Sequence, residues 1–108
     1  MDRDKQRLYE LQARVIQAAG HPIRLAILEF LQDGEQCVCD IAAAVAAGRS
    51  NVSRHLAVLL KAGLVASRKD GLRVMYSLRT PCILRFLSCV SEVLREQFEA
   101  DKAVLSRL

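Results

Sequence analysis

Cysteine is the residue type whose spacing in this chain could do chemistry. Cys37 and Cys39 are two residues apart, and Cys82 and Cys89 are seven apart. The N-terminal stretch MDRDKQRLYE is too charged for a secretory signal, and no apolar run approaches the ~18 residues that span a bilayer. We therefore expect a cytoplasmic protein without membrane contacts, in which thiols stay reduced. Reduced thiols in this number indicate metal or redox chemistry more than structural disulfides.

Composition limits the class of protein. The chain has 108 residues, of which 52% are hydrophobic, so it is long enough for one globular domain over residues 1–108 with a modest core. Its net charge of +4 and its pI of about 9.1 favour a polyanionic partner. It has no Cys-x-x-Cys pair, no phosphate-binding loop and no Cys/His/Asp set, so we expect no enzyme activity.

Apolar residues recur at helical spacing in several stretches and alternate in one pair of short strands. The predicted elements are helices over 5–19, 21–33, 37–47, 48–64 and from 80 onward, and strands over 65–69 and 73–78 joined at Asp70-Gly71. His21 and Thr80 are expected to cap the second and last helices, since a proline suited to a first turn follows each of them. The sequence therefore predicts a mainly α fold with a small β-hairpin.

The stretch GRSNVSRHLAVLLKAGL, residues 48–64, predicts an amphipathic helix that follows a tight turn at Gly48. Its apolar stripe consists of Val52, Leu56, Leu59 and Leu60. Its opposite face is polar and cationic and carries no carboxylate. That face consists of Ser50, Ser53, Arg54, Ala57 and Lys61. Gly63 follows the last turn, where glycine adopts a left-handed cap most easily. A second helix with a polar face, entered by a short turn, matches helix-turn-helix geometry.

Such a face suits a helix that enters the major groove of DNA, because arginine pairs bidentately with guanine and serine or asparagine contacts phosphates or base edges. The hairpin after it would form a wing, whose cations Arg68, Lys69 and Arg73 could reach phosphates or the adjacent minor groove. The predicted DNA-binding residues are Arg49, Ser50, Asn51, Ser53, Arg54, His55 and Lys61 on the helix and Lys69 and Arg73 on the wing. The plainer interpretation of these residues is a solvated surface.

The last helix carries a long apolar stripe that a small winged domain cannot cover. The stripe consists of Ile83, Phe86, Leu87, Val90, Leu94 and Phe98. We therefore expect the N- and C-terminal helices to pair with a second subunit in a twofold homodimer. Its two reading helices would lie on half-sites about 34 Å apart. The expected architecture is a winged helix-turn-helix with five helices and a two-stranded wing, assembled as a homodimer on double-stranded operator DNA.

Four runs of the sequence resemble, in order, content and spacing, the ArsR/SmtB family of metal-sensing winged-helix repressors. They are HPIRLAILEFL, GEQCVCDIAAAV, SNVSRHLAVLLKAGLV and KDGLRVMYSL, and the resemblance spans about residues 10–80. It implies a homodimer that binds operator DNA without its inducer and releases the DNA when the inducer binds. The segment EQCVCD, residues 35–40, resembles the family's cysteine box, which binds soft metals or trivalent arsenic and antimony.

The sequence departs from the family pattern at its ligand positions. Some arsenic sensors of the family carry a third cysteine where this chain has Ala42. The cadmium and lead sensors use cysteines of an N-terminal arm, and the zinc sensors use histidine and carboxylate ligands on the last helix. Here the first 36 residues contain no cysteine and the last helix contains no histidine. A third sulfur would have to come from Cys82 or Cys89, which are about 10 Å apart along the helix axis, so at most one of them completes a site.

Three sulfurs without histidine or carboxylate suit a soft, pyramidal ion. The predicted inducer is therefore As(III) or Sb(III), or another soft thiophilic metal ion, held by Cys37, Cys39, Cys82 and Cys89 as candidate ligands. Side chains two apart in a regular helix diverge by about 200°, so the first turn of the third helix would have to loosen for both box sulfurs to reach one ion. Ligation would then distort the helix that precedes the reading helix, and we expect neither sulfur to face DNA.

Two alternatives to this metalloid-responsive repressor remain open. The first is a repressor of the same fold that responds to thiol oxidation or persulfides by bridging a box cysteine to one of the last helix. The second is that a given cysteine has no chemical role and only packs in the core, because free cysteine is often a small buried hydrophobic residue. Of the other polar residues, His21 is interpreted as a helix cap and Tyr76 as wing core.

Overall fold

The computed structural model describes residues 1–98, 104, 106 and 107. The helices are α1 (Arg3–Ala19), α2 (Pro22–Phe30), α3 (Val38–Val45), α4 (Arg49–Lys61) and α5 (Cys82–Gln97). The strands are β1 (Gln36–Cys37), β2 (Val65–Asp70) and β3 (Arg73–Leu78), and a 3-10 turn over Leu31–Asp33 follows α2. The prediction of a mainly α winged helix-turn-helix fold with five helices is confirmed. Within the predicted domain over 1–108, residues 99–103, 105 and 108 lie outside the described residues.

The predicted two-stranded wing is confirmed as the hairpin of β2 and β3, and a third strand that the sequence did not predict joins it in one antiparallel sheet. The strand order is β1-β3-β2, and β1 pairs with β3 through Gln36 with Tyr76 and Cys37 with Met75. A strand of two residues has no alternating pattern that a sequence could reveal. The extra strand ties the segment before α3 to the wing.

The helix starts agree with the sequence in one case and differ in another. His21 is the N-cap of α2, and its Nδ1 accepts a hydrogen bond of 3.1 Å from the Ile23 N–H. Thr80 was predicted to cap α5, but its hydroxyl instead donates to the Gly63 carbonyl at 3.0 Å, and the helix begins at Cys82. Thr80 therefore links the end of the reading helix α4 to the start of α5.

The turn between α3 and α4 uses a left-handed residue that is not glycine. Ala46 has a φ of 53°, whereas Gly48 is the N-cap of α4 with a φ of −64°. The tight turn therefore lies two residues earlier than predicted. Gly63 has a φ of 83°, as expected for a left-handed cap after α4. Gly71, with a φ of 64°, opens the turn at the tip of the wing.

The hydrophobic core lies where α4 crosses α2 and α3 and meets the first residue of β2. The residues with at most 2% exposure are Ile27, Leu28, Leu31, Ile41, Val52, Leu56, Leu59, Leu64 and Val65. Leu60, which was predicted to share the apolar stripe of α4, is 40% exposed. That prediction was wrong, because Leu60 lies one residue beyond Leu59 and is turned by about 100° away from the core.

The two terminal helices leave apolar side chains exposed. On α1 and α5, large hydrophobic residues are two-fifths or more exposed at several positions. They include Leu8, Leu11, Ile16, Phe86 and Val93. Patches of this kind are typical of faces that pack against another molecule. None of the helices in the described part of the chain is long and apolar enough to cross a membrane.

The burial difference along α4 predicts two different effects on stability. Leu56→Ala should lower the free energy of unfolding by about 2–5 kcal/mol, because Leu56 is fully buried and the change leaves a cavity. Leu60→Ala should cost about 1 kcal/mol or less, because Leu60 is partly exposed. Urea unfolding at a fixed protein concentration measures both values. Equal losses would contradict this assignment of the buried face.

Candidate DNA-binding surface and thiol site

The outward face of α4 consists of the residues that the sequence predicted. Ser50, Ser53, Arg54, Ala57 and Lys61 are all exposed. This face exists because Val52, Leu56 and Leu59 turn the opposite side of the helix into the core. Arg54 Nη2 donates to Asn51 Oδ1 at 3.1 Å, one turn earlier. The α4 face therefore presents hydroxyl, amide and guanidinium groups to solvent, which are the donors and acceptors that read DNA.

The three wing cations are not equivalent. Arg68 donates from Nε and Nη2 to the two carboxylate oxygens of Glu35, at 2.8 and 2.6 Å. These hydrogen bonds and the carboxylate charge raise the pKa of Arg68 and neutralise its charge locally. Lys69 and Arg73 are exposed, and neither side chain pairs with a carboxylate of the described residues. The structure thus separates the predicted DNA contacts Lys69 and Arg73 from Arg68, which is engaged within the fold.

His55 lies between α4 and α2 rather than in the middle of the outward face. Its ring centroid is 4.3 Å from that of His21, and the side chain is partly buried. Desolvation lowers the pKa of His55, and the nearby charges of His21, Arg24 and Arg54 lower it further. His55 is therefore mostly neutral at pH 7, because its ordinary pKa is already 6.5.

Arg24 of α2, which is partly buried and close enough to His55 to lower its pKa, was not singled out by the sequence. Its Nε is buried and has no hydrogen-bond partner among the described residues. The only feature of the sequence that could have drawn attention to Arg24 is that it is the one cation in the mostly apolar helical run HPIRLAILEFL. Its place beside the reading helix became visible only in three dimensions.

The cysteine box and the predicted DNA contacts share one groove. The groove has a volume of about 310 Å³ and lies between the start of α3, the start of α4 and the wing. It is lined by Cys37, Val38, Cys39, Arg49, Ser53, Leu72, Arg73 and Val74. We expected the box sulfurs to face away from DNA, and this expectation stays a prediction, although the groove places both cysteines beside the predicted DNA contacts Arg49, Ser53 and Arg73.

Both thiols reach this groove without any loosening of the first turn of α3. Cys37 is the N-cap, with an extended backbone at a φ of −82° and a ψ of 162°, and it pairs with Met75 as part of β1. The divergence of about 200° applies only between two residues inside one helix. Cys37 is 4% exposed, whereas Cys39 is exposed. The argument from the sequence for a distorted helix, which assumed two residues inside one helix, therefore does not apply to this pair.

A direct contact joins the cysteine box to the reading helix. Arg49, the first residue of α4, donates from Nη2 to the Cys39 sulfur. The sequence analysis predicted Arg49 as a DNA contact and Cys39 as a metal ligand, but it did not connect the two. The ten-residue separation spans the turn between α3 and α4, and no local pattern reveals a contact at that distance.

The other two cysteines lie elsewhere. Cys82 and Cys89 are exposed on α5 and do not line the groove. Among the residues that the structure describes, no group of three His, Cys, Asp or Glu side chains is close enough to hold a metal ion. Within one protomer, the described residues therefore bring two of the four candidate sulfurs together.

Comparisons with known proteins identify the family. A sequence model described as "Bacterial regulatory protein, arsR family" matches residues 21–67. An uncharacterised HTH-type transcriptional regulator of Mycobacterium tuberculosis is 36% identical over 102 residues, covering 94% of this chain and 90% of that protein. The chain belongs to the ArsR family.

Further relatives agree with this assignment. The arsenical resistance operon repressor of Escherichia coli is 35% identical to this ArsR-family chain over 86 residues, which are 79% of the chain and 74% of that repressor. A solution structure from Mycobacterium bovis, described as a homodimeric winged helix-turn-helix DNA-binding domain, has a TM-score of 0.77 at 32% identity, with 93% of each chain covered. This ArsR-family protein is a DNA-binding transcriptional repressor and not an enzyme.

The contrast between Arg73 and Arg68 predicts different salt dependences of DNA binding. Arg73→Ala should weaken binding and reduce the slope of log K against log salt by about 1, because one phosphate contact is lost. Arg68→Ala is the matched control and should leave the slope nearly unchanged, because Glu35 already neutralises that charge. Anisotropy titrations of a labelled duplex at several salt concentrations measure both slopes. The assignment fails if the two variants behave alike.

The environment of His55 predicts a pH dependence of stability. Because folding lowers the pKa of His55 below 6.5, the unfolded chain binds a proton at pH values where the folded chain does not. The stability that His55 contributes is therefore present above about pH 6.5 and is lost as the pH falls below it. His55→Gln should flatten the decline of the unfolding free energy between about pH 7 and pH 5.5. Identical pH profiles for the variant and the wild type would refute this prediction.

Proposed function

We propose that this ArsR-family chain acts in the cytoplasm as a homodimeric repressor that leaves its operator when As(III) or Sb(III) binds the thiolates of Cys37 and Cys39. The observation that carries this proposal is that both thiols line one groove together with Arg49, Ser53 and Arg73. An ion bound there would sit against groups that we assign to DNA binding. The name of the Escherichia coli relative, an arsenical resistance operon repressor, supports the choice of ion.

The proposed homodimer uses the terminal helices. Their apolar side chains are exposed in one protomer, and a second copy would cover them. The Mycobacterium bovis neighbour is described as homodimeric, which supports the same assembly here. A twofold dimer would place the two α4 helices in successive major grooves of one operator, about 34 Å apart. The DNA contacts would then come from Arg49, Ser50, Asn51, Ser53, Arg54, His55, Lys61, Lys69 and Arg73.

The proposed ligand set contains Cys37 and Cys39 and one further sulfur. Thiolates are the protein ligands that soft ions prefer, and trivalent arsenic takes three of them in a pyramid. The third sulfur would come from Cys82 or Cys89 of either subunit, or from a small thiol in solution. Both α5 cysteines are exposed and free to react with a ligand from outside the protomer.

A second candidate function keeps the DNA-binding half and replaces the ion by thiol oxidation or persulfide formation. The observation that favours it is the exposure of Cys39, Cys82 and Cys89 together with the lack of a three-ligand group among the described residues. Exposed thiols are accessible to oxidants, and oxidation needs no preformed ligand cage. In this version, operator release would follow loss of free thiols without any binding of arsenic.

Serine substitutions test the proposal. On an operator duplex selected from a random DNA pool, Cys37→Ser and Cys39→Ser should each bind DNA nearly as well as the wild type, because serine keeps a polar acceptor at the helix start. Both should lose release by arsenite, because a hydroxyl is a poor ligand for a soft ion. Anisotropy titrations with and without arsenite measure the loss, and X-ray absorption on the reduced protein counts the sulfurs around arsenic.

Cys82→Ser and Cys89→Ser are the matched controls for this test. The one that supplies the third sulfur should behave like the box variants, and the other should remain inducible. If both remain inducible, a small thiol or two-sulfur coordination completes the site. If the box variants still respond to arsenite, the metalloid proposal is wrong. If the wild type responds to an oxidant but binds no arsenic, the second candidate function replaces it.

A further inference from the structure

The contact between Cys39 and Arg49 means that one sulfur is both a candidate inducer ligand and a hydrogen-bond acceptor for a predicted DNA contact. Cys39 lies in the first turn of α3, and Arg49 begins α4 directly after its N-cap, Gly48. The guanidinium Nη2 donates to the sulfur, and both side chains are otherwise exposed. Within the part of the chain that the structure describes, Arg49 pairs with no carboxylate, and its hydrogen-bond partner is Cys39, a candidate inducer ligand.

The geometry of a guanidinium allows this contact and a DNA contact at the same time. Arginine presents five N–H donors in a planar fork, so one N–H on sulfur leaves the others for phosphate oxygens. Arg49 is also the first residue of α4, where the free N–H groups and the helix dipole favour a phosphate. A long side chain held by one bond loses less freedom when it contacts DNA. A free Cys39 sulfur is therefore suited to hold Arg49 ready for DNA.

The same groove continues to the wing. Ser53, one helical turn after Arg49, and Arg73 on β3 both line it together with the two cysteines. An ion bound to the sulfurs thus affects local DNA contacts first.

We propose that Cys39 is a positioning residue for operator binding, and that the inducer releases DNA by taking the Cys39 sulfur away from Arg49. This rests on the proposed function, because it describes how the thiol site acts on DNA. With arsenite as inducer, each As–S bond that forms replaces an As–O bond, and the thiol proton leaves with the hydroxide as water. No electron transfer occurs. The sulfur keeps its lone pairs, but the arsenic atom now occupies the space beside it and displaces the Arg49 N–H, so Arg49 loses its orientation.

A double-mutant cycle without inducer tests the positioning role. Cys39→Ala and Arg49→Met should each weaken operator binding by about fivefold, as expected for loss of one hydrogen-bonded charged contact. The double variant should bind no more weakly than Arg49→Met alone, because Cys39 acts only through Arg49. Cys39→Ser should restore binding to within about twofold of the wild type, since its hydroxyl accepts the same N–H.

Other outcomes of the cycle overturn the inference. Additive losses in the double variant, unchanged affinity in both single variants, or a Cys39→Ser variant as weak as Cys39→Ala would each show that the sulfur does not position Arg49. Gln32→Ala combined with Arg49→Met is the control, because Gln32 is exposed in the 3-10 turn after α2 and has no role in either site. The combined variant should bind like Arg49→Met, and Gln32→Ala alone should bind like the wild type. Thermal unfolding confirms that the exposed substitutions leave the fold intact.

The ratio of operator Kd values with and without arsenite tests the release step. This ratio should fall at least about threefold in Arg49→Met, because the DNA contact of Arg49, which arsenite would disrupt in the wild type, is already missing. Arg54→Met is the matched control, since Arg54 reads DNA from the same helix without lining the groove, and its ratio should equal that of the wild type. An unchanged ratio in Arg49→Met overturns the release step. A wild type that arsenite does not release refutes the proposed inducer, while the cycle still decides the role of Cys39.

Discussion

The apolar side of α4 is buried completely, and this burial determines how the rest of the protein is arranged. Val52, Leu56 and Leu59 have no solvent exposure and pack in one core with residues of α2, α3 and β2. Each fully buried aliphatic side chain of this kind stabilises the fold by about 1.5–3 kcal/mol. Because one side of α4 must face the core, its polar side must face solvent. The DNA-reading surface is thus a consequence of core packing.

The groove beside α4 results from three elements that converge on the same point. The short strand β1 holds Cys37 against β3, α3 begins immediately afterwards, and the left-handed Ala46 directs the chain into α4. The first residues of α3 and α4 therefore lie next to each other and next to the wing. In the proposed sensor, the ligand atoms would lie within a few side chains of the DNA contacts, so a local chemical change would be sufficient to alter DNA binding.

Charge is distributed unevenly over this surface. The net charge is +4, yet Arg68 is occupied by Glu35 and His55 is kept mostly neutral by desolvation and neighbouring cations. On the surface formed by α4 and the wing, the cations that remain available include Arg54, Lys61, Lys69 and Arg73, and further exposed cations lie on α1 and α5. Attraction to phosphates depends on the cations that are not already paired, and not on the total charge of the protein. Ion pairs within the protein therefore limit which positive groups can bind DNA.

The sequence by itself determined the helices, the hairpin, the outward face of α4 and the family, because periodicity, proline, glycine and contiguous motifs are local signals. Only the tertiary structure decided which side chains meet. Arg68 pairs with Glu35, which is 33 residues away in the sequence, and Arg49 donates to Cys39 across the turn between α3 and α4. The strand β1 pairs with β3, which lies far along the chain. Leu60 and Thr80 were misassigned for a related reason: the edge of a buried face and the partner of a hydroxyl depend on neighbours distant in sequence. Contacts of this kind depend on packing geometry, which no short stretch of residues encodes.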